Sequence, residues 1–150
     1  MKNIALVLLI GSFGWSCQKM PKACIELSPS NDVTVFDEVR LNSCSEDAYW
    51  YSWEIEDELN GTAISQQYGS ESVDFIWKDD GTFNITLRVQ SEKMKKEDET
   101  STFITVNDVC YTCSNGTNST DICYSDYDDK ATFDASKNNL EAAGFPCVKQ

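Results

Sequence analysis

The chain contains no histidine and few basic residues, with 12 lysines and arginines against 25 aspartates and glutamates. Without histidine it lacks the commonest general acid–base group of enzymes and a frequent zinc ligand. The formal net charge of −13 would repel a phosphate backbone, which argues against a nucleic-acid partner. These absences favour a non-catalytic protein without a metal or cofactor, and they leave a carboxylate-only hydrolase as a minor enzymatic alternative.

Long apolar runs are also missing. The run from Ile4 to Phe13 has 10 residues, about half of the roughly 20 that a membrane-spanning helix needs. It follows Lys2 and precedes Gly14-Trp15-Ser16-Cys17, so residues 1–16 are expected to be a secretory signal that ends before a cysteine. This arrangement resembles a bacterial lipoprotein precursor, which implies a lipid on Cys17 that anchors the mature protein to a membrane.

The residues that follow Cys17 give an indication of where the protein is located in the cell. Gln18-Lys19 resembles the start of the surface-export signals of Bacteroidota lipoproteins, which implies an outer-membrane protein of the cell envelope and leaves the surface and periplasmic faces open. Residues 17–23 are expected to form a short polar tether. A secreted, unanchored protein with a free Cys17 thiol is the alternative, but it would leave an odd thiol outside the cell.

The cysteines indicate a cross-linked protein. Of the seven in the chain, an even set of six is left if Cys17 carries lipid. In an exported chain this set predicts disulfides, formed by Cys24, Cys44, Cys110, Cys113, Cys123 and Cys147. Cys24 and Cys44 are expected to pair because they lie at meeting ends of two antiparallel strands, whereas the last four allow three pairings. Their Cys-x2-Cys start also resembles a zinc site, which the oxidising compartment and the lack of histidine disfavour.

Short alternating segments separated by turn residues follow the tether, which is typical of an antiparallel β-sandwich, here over residues 24–107. The predicted strands are Cys24–Leu27, Val39–Ser43, Tyr49–Ile55, Val73–Trp77, Thr82–Gln90 and Thr100–Val106. Successive residues of a strand point to opposite faces, so the apolar positions predict the core. The predicted inward residues are Val39, Leu41, Tyr51, Trp53, Ile55, Val73, Phe75, Trp77, Phe83, Ile85, Leu87 and Val89.

Two stretches of this region resemble a known family. Residues 51–57 (Tyr-Ser-Trp-Glu-Ile-Glu-Asp) are similar to the Y-x-W-x-F-G-D core of the PKD (polycystic kidney disease) domain, and residues 73–89 to its V-x-Y-x-Y-x-x-x-G-x-Y-x-V-x-L-x-V stretch. The resemblance covers about residues 24–106 and implies an immunoglobulin-like β-sandwich. It also implies an extracellular spacer, adhesion or substrate-presenting role without catalysis. Glu56 and Glu58 replace two glycines of the family, so a longer loop is expected through Asn60-Gly61.

Residues 108–150 differ in composition and are expected to form a small disulfide-stapled ββα unit. Asn115-Gly116 predicts a hairpin turn between two strands. A helix is expected to begin near Ser125, which would cap it, and to run to Ala143 before a glycine stop. Its inner face would carry Phe133, Leu140 and Ala143.

Exposed apolar residues are the candidates for ligand binding. The outward strand positions hold Trp50, Ile76 and Phe103, which would stack on a sugar or anchor a protein partner unless the C-terminal unit covers them. We therefore expect an exported, lipid-anchored binding or spacer module with a glycan or protein ligand. An inhibitor that uses the disulfide-stapled tail as a rigid plug is the main alternative. Calcium binding at Asp126, Asp128 and Asp129 is disfavoured, because acids at a helix N-terminus explain these residues better. At Asp57, Asp79 and Asp80, in loops of the sandwich, calcium binding and turn chemistry are equally good explanations.

Overall fold

A computed structural model describes residues 19–29, 32–57 and 62–150. The predicted signal, the lipidation site Cys17 and the turn at Leu59-Asn60-Gly61 lie outside the described residues. Strands dominate the described part of the chain, and none of its helices is both long and apolar enough to cross a membrane.

The main body is a β-sandwich, which confirms the predicted fold class. Its strands are β1 (Ile25–Ser28), β2 (Asp32–Thr34), β3 (Glu38–Ser43), β4 (Trp50–Asp57), β5 (Thr62–Tyr68), β6 (Ser72–Ile76), β7 (Gly81–Gln90) and β8 (Glu97–Asn107). Within the described residues they form a sheet of three strands, β1-β3-β6, and a sheet of five, β2-β8-β7-β4-β5. Neighbouring strands are antiparallel, whereas β2 and β8 run parallel.

The alternation of apolar and polar residues builds the core between the two sheets. Ten of the predicted inward residues are buried, namely Val39, Leu41, Trp53, Ile55, Val73, Trp77, Phe83, Ile85, Leu87 and Val89. Tyr51 and Phe75 are partly buried and pack against the same cluster. Removing this apolar surface from water supplies the main driving force for the sandwich.

Two strands go beyond the sequence prediction. β2 pairs with β8 through Asp32–Thr34, so the chain joins the larger sheet before it returns to the smaller one in β3. β5 pairs with β4, and the register shifts between Ile55 and Glu56. β8 begins at Glu97, which shortens the hairpin tip after β7 to residues 91–96. The added strand β5 widens the larger sheet beside β4.

The C-terminal unit contains β9 (Cys110–Ser114), β10 (Ser119–Cys123), α1 (Lys130–Ala142) and β11 (Cys147–Lys149). The strand order β10-β9-β11 adds a third strand to the predicted hairpin. Phe133 of α1 is buried against the sheet and Leu140 is half-buried. Ala143, predicted on the same face, is exposed because the helix has ended by that residue.

The helix does not begin near Ser125, as predicted. The Ser125 hydroxyl donates to Asp108, and residues 124–126 form a separate 3₁₀ turn. Asp129 caps α1 instead, because its carboxylate accepts the backbone N–H of Thr132 at 2.7 Å. This hydrogen bond lowers the pKa of Asp129.

The cysteines of the described residues form the disulfides Cys24–Cys44, Cys110–Cys123 and Cys113–Cys147. The first is the predicted pair. In the C-terminal unit, strand register places the members of each pair directly opposite each other on neighbouring strands, which selects one of the open pairings. These sulfurs are therefore not available as zinc thiolates.

The C-terminal unit packs against one end of the sandwich. The rings of Phe36 and Tyr124 have centroids 5.6 Å apart, and Tyr124 packs against both cores. Asp108, which follows β8, accepts hydrogen bonds from the backbone N–H and hydroxyl of Ser125. The unit leaves the predicted ligand-binding residues uncovered.

Candidate functional site

The three predicted ligand-binding residues are exposed but lie apart. The exposed fractions are 42% for Trp50, 51% for Ile76 and 50% for Phe103. Ile76 ends β6 in the smaller sheet, whereas the other two lie on β4 and β8 of the larger one. Phe103 shares a row across that sheet with Glu56, which lies about 20 Å along β4 from Trp50. The structure does not combine the three into one site.

Trp50 instead lines a pocket on the outer face of the larger sheet. We call it the aromatic pocket. Its volume is about 480 Å³, and the described residues that line it are Trp50, Tyr51, Ser52, Tyr68, Gly69, Arg88, Gln90 and Met94. They come from β4, β5, the turn after β5, β7 and the hairpin tip after β7. The volume lies within the range of about 300–1,000 Å³ that is usual for small-molecule sites.

Strand register brings the floor of the pocket together. Ser52 of β4 lies opposite Arg88 of β7 and opposite Tyr68 of β5. Trp50, two residues earlier on β4, lies opposite Gln90. Directly opposite residues on one face have their Cβ atoms about 5 Å apart. The sheet therefore places three polar groups side by side: the hydroxyl of Ser52, the guanidinium of Arg88 and the amide of Gln90. The indole of Trp50 and the phenol of Tyr68 lie on either side of them.

Large exposed side chains form the rim of the pocket. Tyr68 is 72% exposed and Met94 is 58% exposed. Tyr49 packs edge-on against Trp50, with the ring centroids 5.7 Å apart, which restrains the indole. A cluster of exposed apolar side chains around polar groups is typical of a ligand-binding surface.

The turn after β5 is tied to the core, which holds Tyr68 at the rim. Gly69 has a φ of 82°, in the left-handed region that favours glycine, and donates its N–H to the carbonyl of Tyr51 at 2.8 Å. The indole N–H of the buried Trp53 donates to the carbonyl of Ser70 at 2.9 Å. The wall of the pocket is therefore anchored by the sandwich core.

Two carboxylates hold Arg88, the charged group of the pocket. Its Nε donates to Glu99 of β8, and its Nη1 lies 3.8 Å from a carboxylate oxygen of Glu54 on β4. The hydrogen bond to Glu99 is the main cause that raises the pKa of Arg88. Arg88 and Glu99 are exposed and Glu54 is half-buried, so these pairs orient the guanidinium more than they stabilise the fold.

Tyr51 lies between Trp50 and Ser52 on β4, so its ring points to the opposite face of the sheet and packs against the core. Partial burial raises the pKa of Tyr51, and the negative charge of Glu71 raises it further. The hydroxyl therefore stays protonated at neutral pH, and it can both donate and accept a hydrogen bond. On the face of the sheet that carries the pocket, the neutral polar side chains beside the rings of Trp50 and Tyr68 are those of Ser52 and Gln90.

Turn and cap hydrogen bonds account for two of the acidic residues that were considered for calcium. Asp126 accepts the backbone N–H of Cys123 at 2.9 Å, and Asp129 caps α1. A second cleft, of about 400 Å³ and with Ile76 on its wall, is lined by Asp57, Asp79 and Asp80. In the described part of the chain, one cluster of side chains has the spacing of a metal site, and it consists of Asp108, Cys110 and Cys123. The two cysteines are bonded to each other in a disulfide, so their sulfurs are not available as thiolate ligands.

Of the residues that line the pocket, Trp50 was predicted from the sequence to bind a ligand, whereas its neighbours in the pocket were not. Tyr68 was missed because β5 was not predicted, and Met94 because it lies in a charged hairpin tip. Arg88 was placed on the outward face of its strand, yet nothing in the sequence shows which strand lies beside it. The sequence signal that could have indicated Tyr68 as a pocket residue is the pair Tyr68-Gly69, in which an aromatic residue directly precedes a glycine.

No protein-family model matches the chain, and no curated protein matches its sequence. One solved structure, described as "Structural basis for the promiscuous specificity of the carbohydrate-binding modules from the beta-sandwich super family", is similar with a TM-score of 0.50 and 22% identity. The likeness covers 60% of this chain and 35% of that one. At this identity it shows the β-sandwich fold alone. The resemblances to the PKD family and to Bacteroidota lipoproteins stay predictions.

Proposed function

We propose that this protein is an exported, lipid-anchored protein of the cell envelope, whose sandwich is a non-catalytic module that binds a saccharide in the aromatic pocket. The observation that carries the proposal is the placement of Trp50 and Tyr68 around the polar floor of Ser52, Arg88 and Gln90. Sugar rings have apolar C–H faces that pack on aromatic rings, and hydroxyl groups that need donors and acceptors at their edges.

The size of the pocket and the fold agree with this ligand class. The pocket volume of about 480 Å³ is in the range of sites for small ligands. A protein partner would instead need a broad contact surface, usually of roughly 800 Å². The similar solved structure concerns carbohydrate-binding modules of a β-sandwich superfamily. A sandwich of this kind is therefore a reasonable scaffold for a saccharide site.

The residues of the pocket favour binding without turnover. Hydrolysis of a glycosidic bond usually requires two carboxyl groups that flank the bond. Arg88 is the one charged side chain among the described residues that line the pocket. The nearby Glu54 and Glu99 form ion pairs with it. Since the chain also lacks histidine, general acid–base chemistry has no clear agent here.

Export to an oxidising compartment is supported by the cross-links. The described residues contain the disulfides Cys24–Cys44, Cys110–Cys123 and Cys113–Cys147, and such bonds persist outside the reducing cytoplasm. A signal that ends before Cys17 would provide the route. A lipid on that cysteine would hold the module at the membrane, with residues 17–23 as the tether.

Replacing the predicted lipid attachment site tests the anchor. We expect Cys17→Ser to move the protein from the membrane fraction to the soluble fraction and to abolish labelling by an alkyne fatty-acid analogue, since the lipid chain supplies about 0.8 kcal/mol per buried CH₂. Met20→Ser, in the same tether, should leave both readouts unchanged. Wild-type protein that carries no label and has no lipid in its intact mass would refute the anchor.

A glycan array probed with the mature protein tests the binding role. We expect a signal on a restricted set of saccharides, with no release of shorter products when the bound saccharides are incubated with the protein. The absence of any signal, for protein shown to be folded by circular dichroism, would contradict the proposed function.

A further inference from the structure

The charge balance around Arg88 bears on which saccharides the aromatic pocket accepts. An arginine in a sugar-binding site would ordinarily be expected to bind a carboxylate, because its planar fork of N–H groups matches two carboxylate oxygens. Here the Arg88 guanidinium already interacts with two carboxylates of the protein itself. Glu99 accepts from Nε, and Glu54 lies 3.8 Å from Nη1.

A third carboxylate lies close by. The negative charge of Glu97 also raises the pKa of Arg88, after the larger contributions of Glu99 and Glu54. A carboxylate brought in by a ligand would therefore meet one guanidinium and several negative charges. A ligand carboxylate within a few ångström of these glutamates would be repelled by their negative charges.

The lysines of the hairpin tip do not line the pocket. Lys93, Lys95 and Lys96 flank Met94 in the sequence. Among the described residues that line the pocket, the tip contributes Met94 and none of its lysines. The net charge of −13 over the whole chain adds a long-range repulsion for anions.

We propose that the aromatic pocket selects neutral saccharides, and that Glu54 and Glu99 determine this selectivity by occupying Arg88. The guanidinium then uses its remaining N–H groups to donate to sugar hydroxyls, which need no negative charge. The inference rests on the proposed saccharide-binding function. It goes further by naming the ligand class and the two residues that exclude uronic acids.

Calorimetric titrations with matched neutral and anionic tetrasaccharides test the selectivity. The neutral probes are the tetraoses of cellulose, xylan, mannan and laminarin, and the anionic probes are tetragalacturonate and tetramannuronate. We expect at least one neutral probe to bind at least about tenfold more tightly than either uronate at low salt. Raising the salt concentration should leave the affinity for the neutral probe within about twofold, since screening acts on charged ligands.

Glu99→Gln isolates the role of the carboxylate, because it removes the charge while it keeps the size of the side chain. We expect this variant to bind uronates at least about fivefold more tightly than wild type, relative to the neutral probe. Glu26→Gln, an exposed position on β1 of the smaller sheet, changes the net charge equally and should leave the ratio unchanged.

The outcomes separate the two proposals. If neither the neutral nor the anionic probes nor any arrayed glycan binds, the proposed function fails. If wild type binds uronates as tightly as neutral probes, the selectivity is wrong while the binding function stands. If neutral probes bind preferentially but Glu99→Gln leaves the ratio unchanged, Glu99 does not determine the selectivity.

Discussion

Replacing Trp50 and Tyr68 together by alanine should weaken saccharide binding by about 30-fold or more. Each ring is a large exposed aromatic at the rim of the pocket, and truncating such a ligand-contacting residue costs about 1–2 kcal/mol or more. Two losses of about 1 kcal/mol multiply to about 30-fold in affinity. The fold should be unaffected, because neither side chain belongs to the buried core. Titration calorimetry with the best saccharide from the array measures the change.

Phe103→Ala is the matched control for this experiment. Phe103 is a similarly exposed aromatic on the same sheet, about 20 Å along the strand direction from Trp50. It was one of the residues predicted to bind ligand, and the structure places it outside the pocket. Its substitution should change the affinity by less than about twofold. An equal loss in this variant would mean that the ligand lies along the sheet and not in the pocket.

Removing the disulfide Cys113–Cys147 should unfold the C-terminal unit while the sandwich stays folded. The core of this unit is small, with Cys113, Ile122 and Phe133 as its buried residues. A native disulfide in a small domain typically contributes about 2–5 kcal/mol, and a unit of this size has little stability in reserve. In Cys113→Ala/Cys147→Ala, residues 108–150 should lose protection from amide hydrogen exchange.

The control is amide hydrogen exchange in a variant that lacks the disulfide of the sandwich. Cys24→Ala/Cys44→Ala should leave strands β4, β7 and β8 protected, because the sandwich has a far larger buried core that supplies most of its stability. Saccharide binding should persist in both double variants, since the aromatic pocket lies on the larger sheet. Unfolding of the whole protein after loss of Cys113–Cys147 would show that the two parts fold as one unit.

The sandwich could be predicted from the sequence because a strand with one buried face has a period of two residues. Phe83, Ile85, Leu87 and Val89 show this pattern, and all are buried. β5 shows no such pattern in Thr-Ala-Ile-Ser-Gln-Gln-Tyr and was missed. β2 is three residues long and is defined by a parallel pairing with β8, a long-range contact that local patterning does not encode.

The pocket was predictable only in part, for a related reason. Alternation correctly indicates that Trp50 and Arg88 point away from the core, since parity along a strand is local. The lateral order of strands depends on pairing between distant segments, so the proximity of Tyr68 to Ser52 follows from β5 joining β4. Without that order, Ile76 and Phe103 could not be distinguished from true neighbours of Trp50.

The helix start shows how local signals compete. Ser125 and Asp129 are both acceptable caps from residue type alone. The tertiary contact between Ser125 and Asp108 occupies the serine hydroxyl, and Asp129 is left to accept the N–H of Thr132. The choice between the two caps is therefore made by packing of the C-terminal unit against the end of β8.

A titration of isotope-labelled protein followed through its tryptophan indole signals tests the central claim most directly. Trp50, Trp53 and Trp77 are the tryptophans beyond the predicted signal. Trp50 lines the pocket, whereas Trp53 and Trp77 are only 1% and 2% exposed. We predict that a bound saccharide shifts the indole N–H signal of Trp50 in a saturable way and leaves the other two nearly unchanged. Saturable binding with an unmoved Trp50 signal would contradict the account.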